Sequence, residues 1–314
     1  MKKYRFGENF LRSYSEPTFI ARGGFGAVFK CEKNNSVFAV KVTNFDAGGQ
    51  EADKARREAD ILNMLKHSRI VKYIEHLEDS PLVCESSDSS SGDSTEGPKD
   101  SAVYLIMEFC PRTLHKMLED TCTTGGIQPS KTWTLFKQII EGLEHVHKKS
   151  VIHNDLSSQN IFLDSNDNIK IGDFGLSRVV DDSSLSITSA SKGNTLYAAP
   201  EKLGAKGTMR RIDSRVDIYS AGVLLFELVY PMKTEQERRT NLLNLREGKL
   251  PGNFKYATKF LQKLLSRDRP SATDILELLN DVEAIAGPNP ENILSQLLGS
   301  DRSFDGEAVA FQDV

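Results

Sequence analysis

Apolar positions recur with a period of two early in the chain and with a period near 3.6 later, and the change falls at about residue 110. Phe19-Ile20, Ala27-Val28-Phe29 and Val37-Phe38-Ala39-Val40 read as strands, with Asn34-Asn35 suited to a hairpin between the last two. Glu51 to Leu65 carries charge on one face and Ile61, Leu62 and Leu65 at helical spacing on another. Ile70 to Ile74 and Val103 to Phe109 read as strands again. Beyond Pro111 the pattern predicts helices over Leu114–Leu118, Trp133–His147, Val216–Val229, Leu242–Arg246, Tyr256–Leu265 and Ala272–Leu279. A short β pair, Ile161–Leu163 and Ile169–Ile171, is joined by a turn at Asn166-Asp167-Asn168.

This order implies an α+β chain: a small β-rich unit with one main helix over residues 15–110, then a larger, mainly helical unit over 111–286. Residues 1–14 read as an N-terminal segment, and 287–314 as a polar tail with one apolar patch at Ile293–Leu298. Within the first unit, 79–101 is rich in Ser and acids and is expected to lack fixed structure. Its six acids and one base give it a net charge of −5 out of −4 for the whole chain, so the remainder is +1. A nearly neutral remainder argues against a nucleic-acid partner. Ile218–Tyr230, the most apolar helix candidate, is too short to span a bilayer and contains Glu227, which argues against a membrane span. Cys31, Cys84, Cys110 and Cys122 show no CxxC pairing, and no apolar leader follows Met1, so a reducing, cytoplasmic setting is expected.

Several residues carry chemistry. Ile20-Ala21-Arg22-Gly23-Gly24-Phe25-Gly26-Ala27-Val28 places glycines between two strands, where backbone N–H groups can approach phosphates. Alone, such a hairpin is a plain turn more often than a phosphate cradle. Lys41 ends the Phe38-Ala39-Val40 strand, and Glu58 lies on the following helix, where it can pair with that lysine or with Lys54 or Arg57 on the helix surface. Asp155, Asn160 and Asp173 supply a carboxylate, an amide and a second carboxylate within His153-Asn154-Asp155-Leu156-Ser157-Ser158-Gln159-Asn160 and Asp173-Phe174-Gly175. One such spacing arises by chance. The ordered set that runs from the glycines through Lys41, Glu58, Asp155, Asn160 and Asp173 to Ala199-Pro200-Glu201 does not.

Over about residues 15 to 282 the sequence resembles the eukaryotic protein kinases, which implies a bilobal fold and the use of ATP and Mg2+. By that resemblance Lys41 and Glu58 fix ATP, Asp155 takes or orients a hydroxyl proton, and Asn160 and Asp173 hold magnesium. Ile20, Gly23, Gly24, Gly26, Val28, Ala39, Met107, Glu108 and Cys110 line the nucleotide. His153, Phe174, Glu201, Asp217 and Arg269 are structural, with Asp217 bracing the catalytic loop and Arg269 pairing with Glu201. Arg22 to Phe29, Met107 to Cys110 and Val216 to Leu228 narrow the resemblance to the kinases of the translation initiation factor 2 alpha subunit. That factor subunit is then the expected protein substrate, repression of translation the outcome, and Thr234, Glu237 and Arg238 candidate docking residues. Thr188, Ser189 and Ser191 are candidate phosphate acceptors in the activation loop. A homodimer or a kinase heterodimer belongs to the same resemblance, although Asn9 and Ser13 stand where the family has an Arg/Asp pair at its dimer contact. Nothing before residue 15 resembles the family's regulatory domains.

The departures shape the functional reading. Ser157 stands where a lysine neutralises the transferring phosphate, and Asn194 where a threonine contacts the base, a role into which Thr195 could shift. Losing one such donor reduces rate on the order of 10²–10³. Asn154 replaces the arginine that pairs with a phosphorylated activation loop. The reading is a Ser/Thr kinase; its alternatives are a pseudokinase that binds nucleotide and competes for the factor or a partner kinase, and an active kinase with another substrate.

Overall fold

The computed structural model describes residues 3–24, 26–46, 49–85, 99–180, 193–203, 212–252, 254 and 258–286. The chain divides into two compact units. The first comprises Met1–Pro111 with Asp173–Gly175, and the second Arg112–Gly172 with Leu176–Val314.

In the first unit the elements run β1 (Lys3–Arg5), α1 (Glu8–Leu11), β2 (Thr18–Gly23), β3 (Gly26–Lys33), β4 (Ser36–Phe45), α2 (Gln50–Met64), β5 (Tyr73–Asp79), β6 (Val83–Glu85) and β7 (Ser101–Glu108). β2, β3, β4, β7 and β5 form one antiparallel sheet in that order. Asn34 and Asn35 turn the β3–β4 hairpin with φ of 51° and 60°, a left-handed conformation that asparagine tolerates.

Residues directly opposite across an antiparallel pair share a face. Val28 and Leu105 both oppose Lys41, and Met107 opposes Ala39, so these five side chains share one face. Phe29, Val40 and Ile106 oppose one another on the second face, beside the pair Val42 and Tyr104. α2 covers part of the first face, where Ala52 and Ala55 pack on Phe45 and Val103.

The second face is covered by the N-terminal segment. Phe6, Phe10 and Tyr14 pack into the cluster of Phe29, Val40, Tyr104 and Ile106. The Phe10 ring stacks on Tyr104 and on Tyr14, each at 5.0 Å, and the Gly7 N–H donates to the Tyr104 hydroxyl at 2.9 Å. The segment is therefore part of this unit rather than an appendage to it. A sheet with apolar side chains on both faces and one main helix needs a second cover. Ordered structure also enters the stretch 79–101: β6 pairs with β1, and Leu82 is buried. The strand expected over Ile70–Ile74 instead begins at Tyr73, with Ile70 and Val71 buried just before it.

The second unit holds β8 (Arg112–Thr113), α3 (Leu114–Cys122), α4 (Pro129–Lys148), β9 (Val151–Ile152), β10 (Ile161–Leu163), β11 (Ile169–Ile171) and β12 (Arg178–Val179). A 3-10 turn (Pro200–Lys202) follows, then α5 (Arg215–Val229), α6 (Glu235–Arg246), α7 (Thr258–Leu265) and α8 (Ala272–Ala286). Every residue from Val216 to Leu228 is buried, as expected of a helix apolar on all sides. The Asp164 carboxylate closes the β10–β11 turn by accepting the N–H groups of Asn166 and Asn168. α6 starts seven residues before the expected Leu242, because its charged first half hides the helical period. Thr234 caps it by accepting the Glu237 N–H at 3.0 Å. The patch Ile293–Leu298 and the rest of the tail lie outside the described residues. Among the described residues no helix is long and apolar enough to cross a membrane.

Candidate active site

In the first unit, β4 presents Lys41 and α2 presents Glu58. The Lys41 ammonium donates to Glu58 Oε1 at 2.7 Å, to Glu58 Oε2 at 2.9 Å and to Asp173 Oδ1 at 2.8 Å. Lys41 and Glu58 are both buried. Burial alone pulls the Lys41 pKa down. The Glu58 and Asp173 carboxylates outweigh it and hold the ammonium well above the ordinary lysine range. Gly175 leaves room for this cluster: a Cβ there would stand 3.2 Å from Glu58 Oε2 and 3.5 Å from Lys41 Nζ.

The glycine hairpin lies on the same sheet. Gly26 has φ of +149°, and a Cβ there would meet the Val42 carbonyl oxygen at 2.4 Å, so only glycine fits. A Cβ at Gly23 or Gly24 would meet nothing within 4 Å, and Ile20 is exposed. Val28, Ala39 and Met107 form an apolar strip on the face that carries Lys41. Glu108 is fixed at the end of β7: its N–H donates to the Lys72 carbonyl at 2.9 Å, and its carboxylate accepts the Lys72 N–H at 2.6 Å. Cys110 is half-buried just beyond. Phe174 is buried beside Asp173 in the chain.

In the second unit, Asp217 at the start of α5 organises the loop after β9. Its carboxylate accepts the N–H groups of His153 and Asn154, each at 2.8 Å, and contacts His147 Nε2 at 3.0 Å. His153 is fully buried, with Nε2 3.0 Å from the Gly172 carbonyl. Asp155 follows, and its Oδ1 accepts the Asn194 N–H at 2.9 Å. Asn160 Nδ2 donates to the Asp155 carbonyl at 2.8 Å and to Asp155 Oδ2 at 3.2 Å. Asn194 thus reaches Asp155 with its backbone, and its side chain accepts the Leu196 N–H instead. The Thr195 carbonyl accepts from the Arg246 guanidinium. Ser157 is 1% exposed, so the position of the expected lysine is a buried neutral residue.

Glu201 and Arg269 pair through both guanidinium nitrogens. Burial raises the Glu201 pKa, but Arg269 outweighs it and the carboxyl sits below its usual range. Arg238 requires a correction. It is 8% exposed, and its Nε donates to Glu227 Oε1 at 2.6 Å while Nη2 reaches the Tyr197 hydroxyl at 2.5 Å. The Tyr197 hydroxyl donates to Glu227 Oε2 at 2.6 Å and meets Ser158 Oγ at 2.7 Å. Arg238 is therefore a buried strut rather than a docking side chain, because Glu227, buried in α5, needs a cation. Thr234 stays exposed, and Glu237 is half-buried with its carboxylate accepting the Lys233 N–H at 2.7 Å. Thr188, Ser189 and Ser191 lie outside the described residues.

Three contributors escaped the sequence reading. A Cβ at Gly193, where φ is +123°, would stand 2.6 Å from Asp155 Oδ1, so this glycine lets the chain pass that carboxylate. Tyr197 joins Ser158, Glu227 and Arg238. Lys202 donates to the Asn154 carbonyl at 2.5 Å. Only the glycine carried a signal, its place just before Asn194.

Among the described residues no group of three or more His, Cys, Asp or Glu side chains could hold a metal ion. Asp173 in the first unit and Asn160 in the second each carry a hard oxygen donor of the kind magnesium takes.

Residues 14–295 match the protein kinase domain model. An eIF-2-alpha kinase GCN2 of Arabidopsis thaliana is 30% identical over 313 residues, covering 85% of this chain and 25% of that protein. The interferon-induced, double-stranded RNA-activated protein kinase of Rattus norvegicus is 32% identical over 298 residues, covering 92% of this chain and 56% of that protein. Human GCN2 is 36% identical over 206 residues, 56% of this chain and 12% of that protein. The chain spans a quarter to little more than half of the first two relatives.

Proposed function

This chain belongs to the protein kinase domain family, and from that premise we propose that it is an ATP-dependent Ser/Thr kinase acting on the alpha subunit of translation initiation factor 2. The observation that carries the reading is the contact of the buried Lys41 with both Glu58 and Asp173, at 2.7 Å and 2.8 Å. An ammonium held by two carboxylates is preorganised to meet a polyphosphate when one carboxylate turns to a metal. Two relatives whose names include eIF-2-alpha kinase supply the substrate class. A cytoplasmic setting suits that substrate.

Bound ATP supplies the phosphoryl group, and Mg2+ neutralises its charge. Glu58 keeps Lys41 aimed. Asp173 and Asn160 offer oxygens to magnesium. Val28, Ala39 and Met107 offer an apolar face to the base, and the glycine hairpin offers N–H groups to phosphate. Asp155, held by Asn194 and Asn160, accepts the proton of a substrate hydroxyl. Asp217 fixes the backbone before Asp155, so the carboxylate does not wander. Exposed Thr234 and half-buried Glu237 at the start of α6 remain candidates for contact with the protein substrate.

The buried Ser157 favours a second reading, in which nucleotide and partner bind but transfer is slow. The test is incorporation of labelled phosphate into purified factor subunit by the wild type and by Asp155→Asn. Incorporation that Asp155→Asn abolishes supports the kinase reading. Equal incorporation by both overturns it, and binding of ATP without transfer supports the second reading.

A further inference from the structure

Asn154 directly precedes Asp155 and is 9% exposed. Its N–H donates to Asp217 Oδ1 at 2.8 Å, and its Nδ2 donates to the Leu176 carbonyl at 3.1 Å. Its Oδ1 is buried with no hydrogen-bond partner among the described residues. Its φ of +67° is left-handed, a conformation asparagine adopts more readily than most residues. Position 154 thus offers no cation to a phosphate. Activation loops are commonly ordered when a phosphate meets an arginine.

A cation nevertheless reaches this backbone from another segment. Lys202 ends the 3-10 turn that follows the Ala199-Pro200 step, and its Nζ donates to the Asn154 carbonyl at 2.5 Å. Burial of this ammonium pulls its pKa down, the carboxylates of Asp217 and Asp155 oppose that pull, and the Arg178 guanidinium adds to it. The lysine therefore lies in the field of both the base and the carboxylate that braces it. The same short stretch is anchored independently, since Glu201 pairs with the buried Arg269. Lys202 is consequently presented from a fixed turn.

We propose that Lys202 is a built-in positioning residue, which holds the Asn154 carbonyl, and with it the backbone that leads into Asp155, without a loop phosphate to order it. The order of the catalytic loop is then constitutive. This inference rests on the kinase reading for its activity arm only.

The experiment uses the full chain as wild type, Lys202→Met and Lys202→Arg. kcat and KM for ATP are measured before and after phosphatase treatment, with amide hydrogen exchange followed over residues 150–160. Phosphatase should change the wild-type kcat by less than about twofold, whereas Lys202→Met should lower kcat on the order of tenfold to a hundredfold with KM for ATP nearly unchanged. Exchange at 153–156 should quicken in Lys202→Met and return toward wild type in Lys202→Arg. A wild type that loses most of its kcat on dephosphorylation overturns the proposal. So does a Lys202→Met protein with wild-type kcat and wild-type exchange. If the wild type transfers no phosphate at all, the kinase reading fails, and the exchange comparison alone decides this one: quicker exchange in Lys202→Met supports it, and unchanged exchange overturns it.

Discussion

Lys41 Nζ lies 2.7 Å from Glu58 Oε1, and neither side chain is more than 10% exposed. A buried pair is costly to break from one side, because the partner is left charged without compensation. Glu58→Leu should therefore destabilise the protein by about 3 kcal/mol. Glu58→Leu with Lys41→Met should recover part of that loss, because no buried ammonium then remains beside an apolar side chain. Urea unfolding of both single variants and the double variant checks the coupling. Equal, additive losses would mean that Asp173 alone satisfies Lys41.

Gly193 passes Asp155 so closely that a methyl group would stand 2.6 Å from the carboxylate oxygen. The Asn194 N–H that fixes this oxygen is the next backbone group along. Gly193→Ala should displace that contact and lower kcat on the order of a hundredfold. ATP affinity, measured by calorimetry, should stay close to wild type, since the nucleotide residues named above belong to the other unit.

Asp217 gives a pH signature. Burial alone would raise its pKa. The His147 hydrogen bond, the neighbouring imidazoles and the Asn154 N–H outweigh burial and lower it. A carboxylate whose folded pKa is depressed contributes stability above its unfolded pKa and loses it as pH falls toward the folded value. Asp217→Asn should thus be less stable than wild type at pH 7 by about 2–3 kcal/mol. The gap should narrow as pH drops below about 4. Chemical denaturation at several pH values measures it, and a gap independent of pH would locate the effect in packing rather than charge.

Arg238 separates burial from docking. Arg238→Ala leaves Glu227 buried without its cation, and burial already pushes the Glu227 pKa up against the opposing pull of Arg238. The variant should lose about 3–5 kcal/mol of stability. Thr234→Ala, which removes only an exposed cap, should lose about 1 kcal/mol. Thermal melts distinguish the two. Similar small losses would return Arg238 to the surface.

The sheet was legible from its local period, and the pairing of Lys41 with Glu58 from the kinase resemblance, since the helix alone left Lys54 and Arg57 open as partners. The sequence of α6 hid its first two turns, since charged residues supply no apolar period there. The packing of the N-terminal segment was not legible for a different reason. Phe6, Phe10 and Tyr14 are spaced as one helical face, but only the three-dimensional sheet reveals that Phe29 and Tyr104 need a cover. Arg238 looked like surface by residue type; its burial is dictated by Glu227, eleven residues away and itself hidden in an apolar helix. Lys202 could not be found at all from spacing, because its partner is a backbone carbonyl 48 residues upstream.

Ser157 is the departure that the kinase reading makes most consequential for turnover. Its side chain is buried and neutral, and its carbonyl accepts the N–H groups of Asn160 at 3.0 Å and Ile161 at 3.1 Å. The backbone is thus already folded as the chemistry needs, and Asp155 and Asn160 are already joined through the Asn160 amide. What the loop lacks is a cation for the charge that grows on the transferring group. Ser157→Lys should supply it and raise kcat on the order of 10²–10³ with little change in KM for ATP, because such a group acts chiefly in the transition state. The larger side chain must also leave a buried site, so stability should fall by about 1–3 kcal/mol. A rise in kcat alongside a lower melting temperature would mean that a complete active site is held back by one missing charge. An inactive wild type that stays inactive with Lys at this position, yet binds ATP by calorimetry, would mean that the chain binds nucleotide without transferring phosphate.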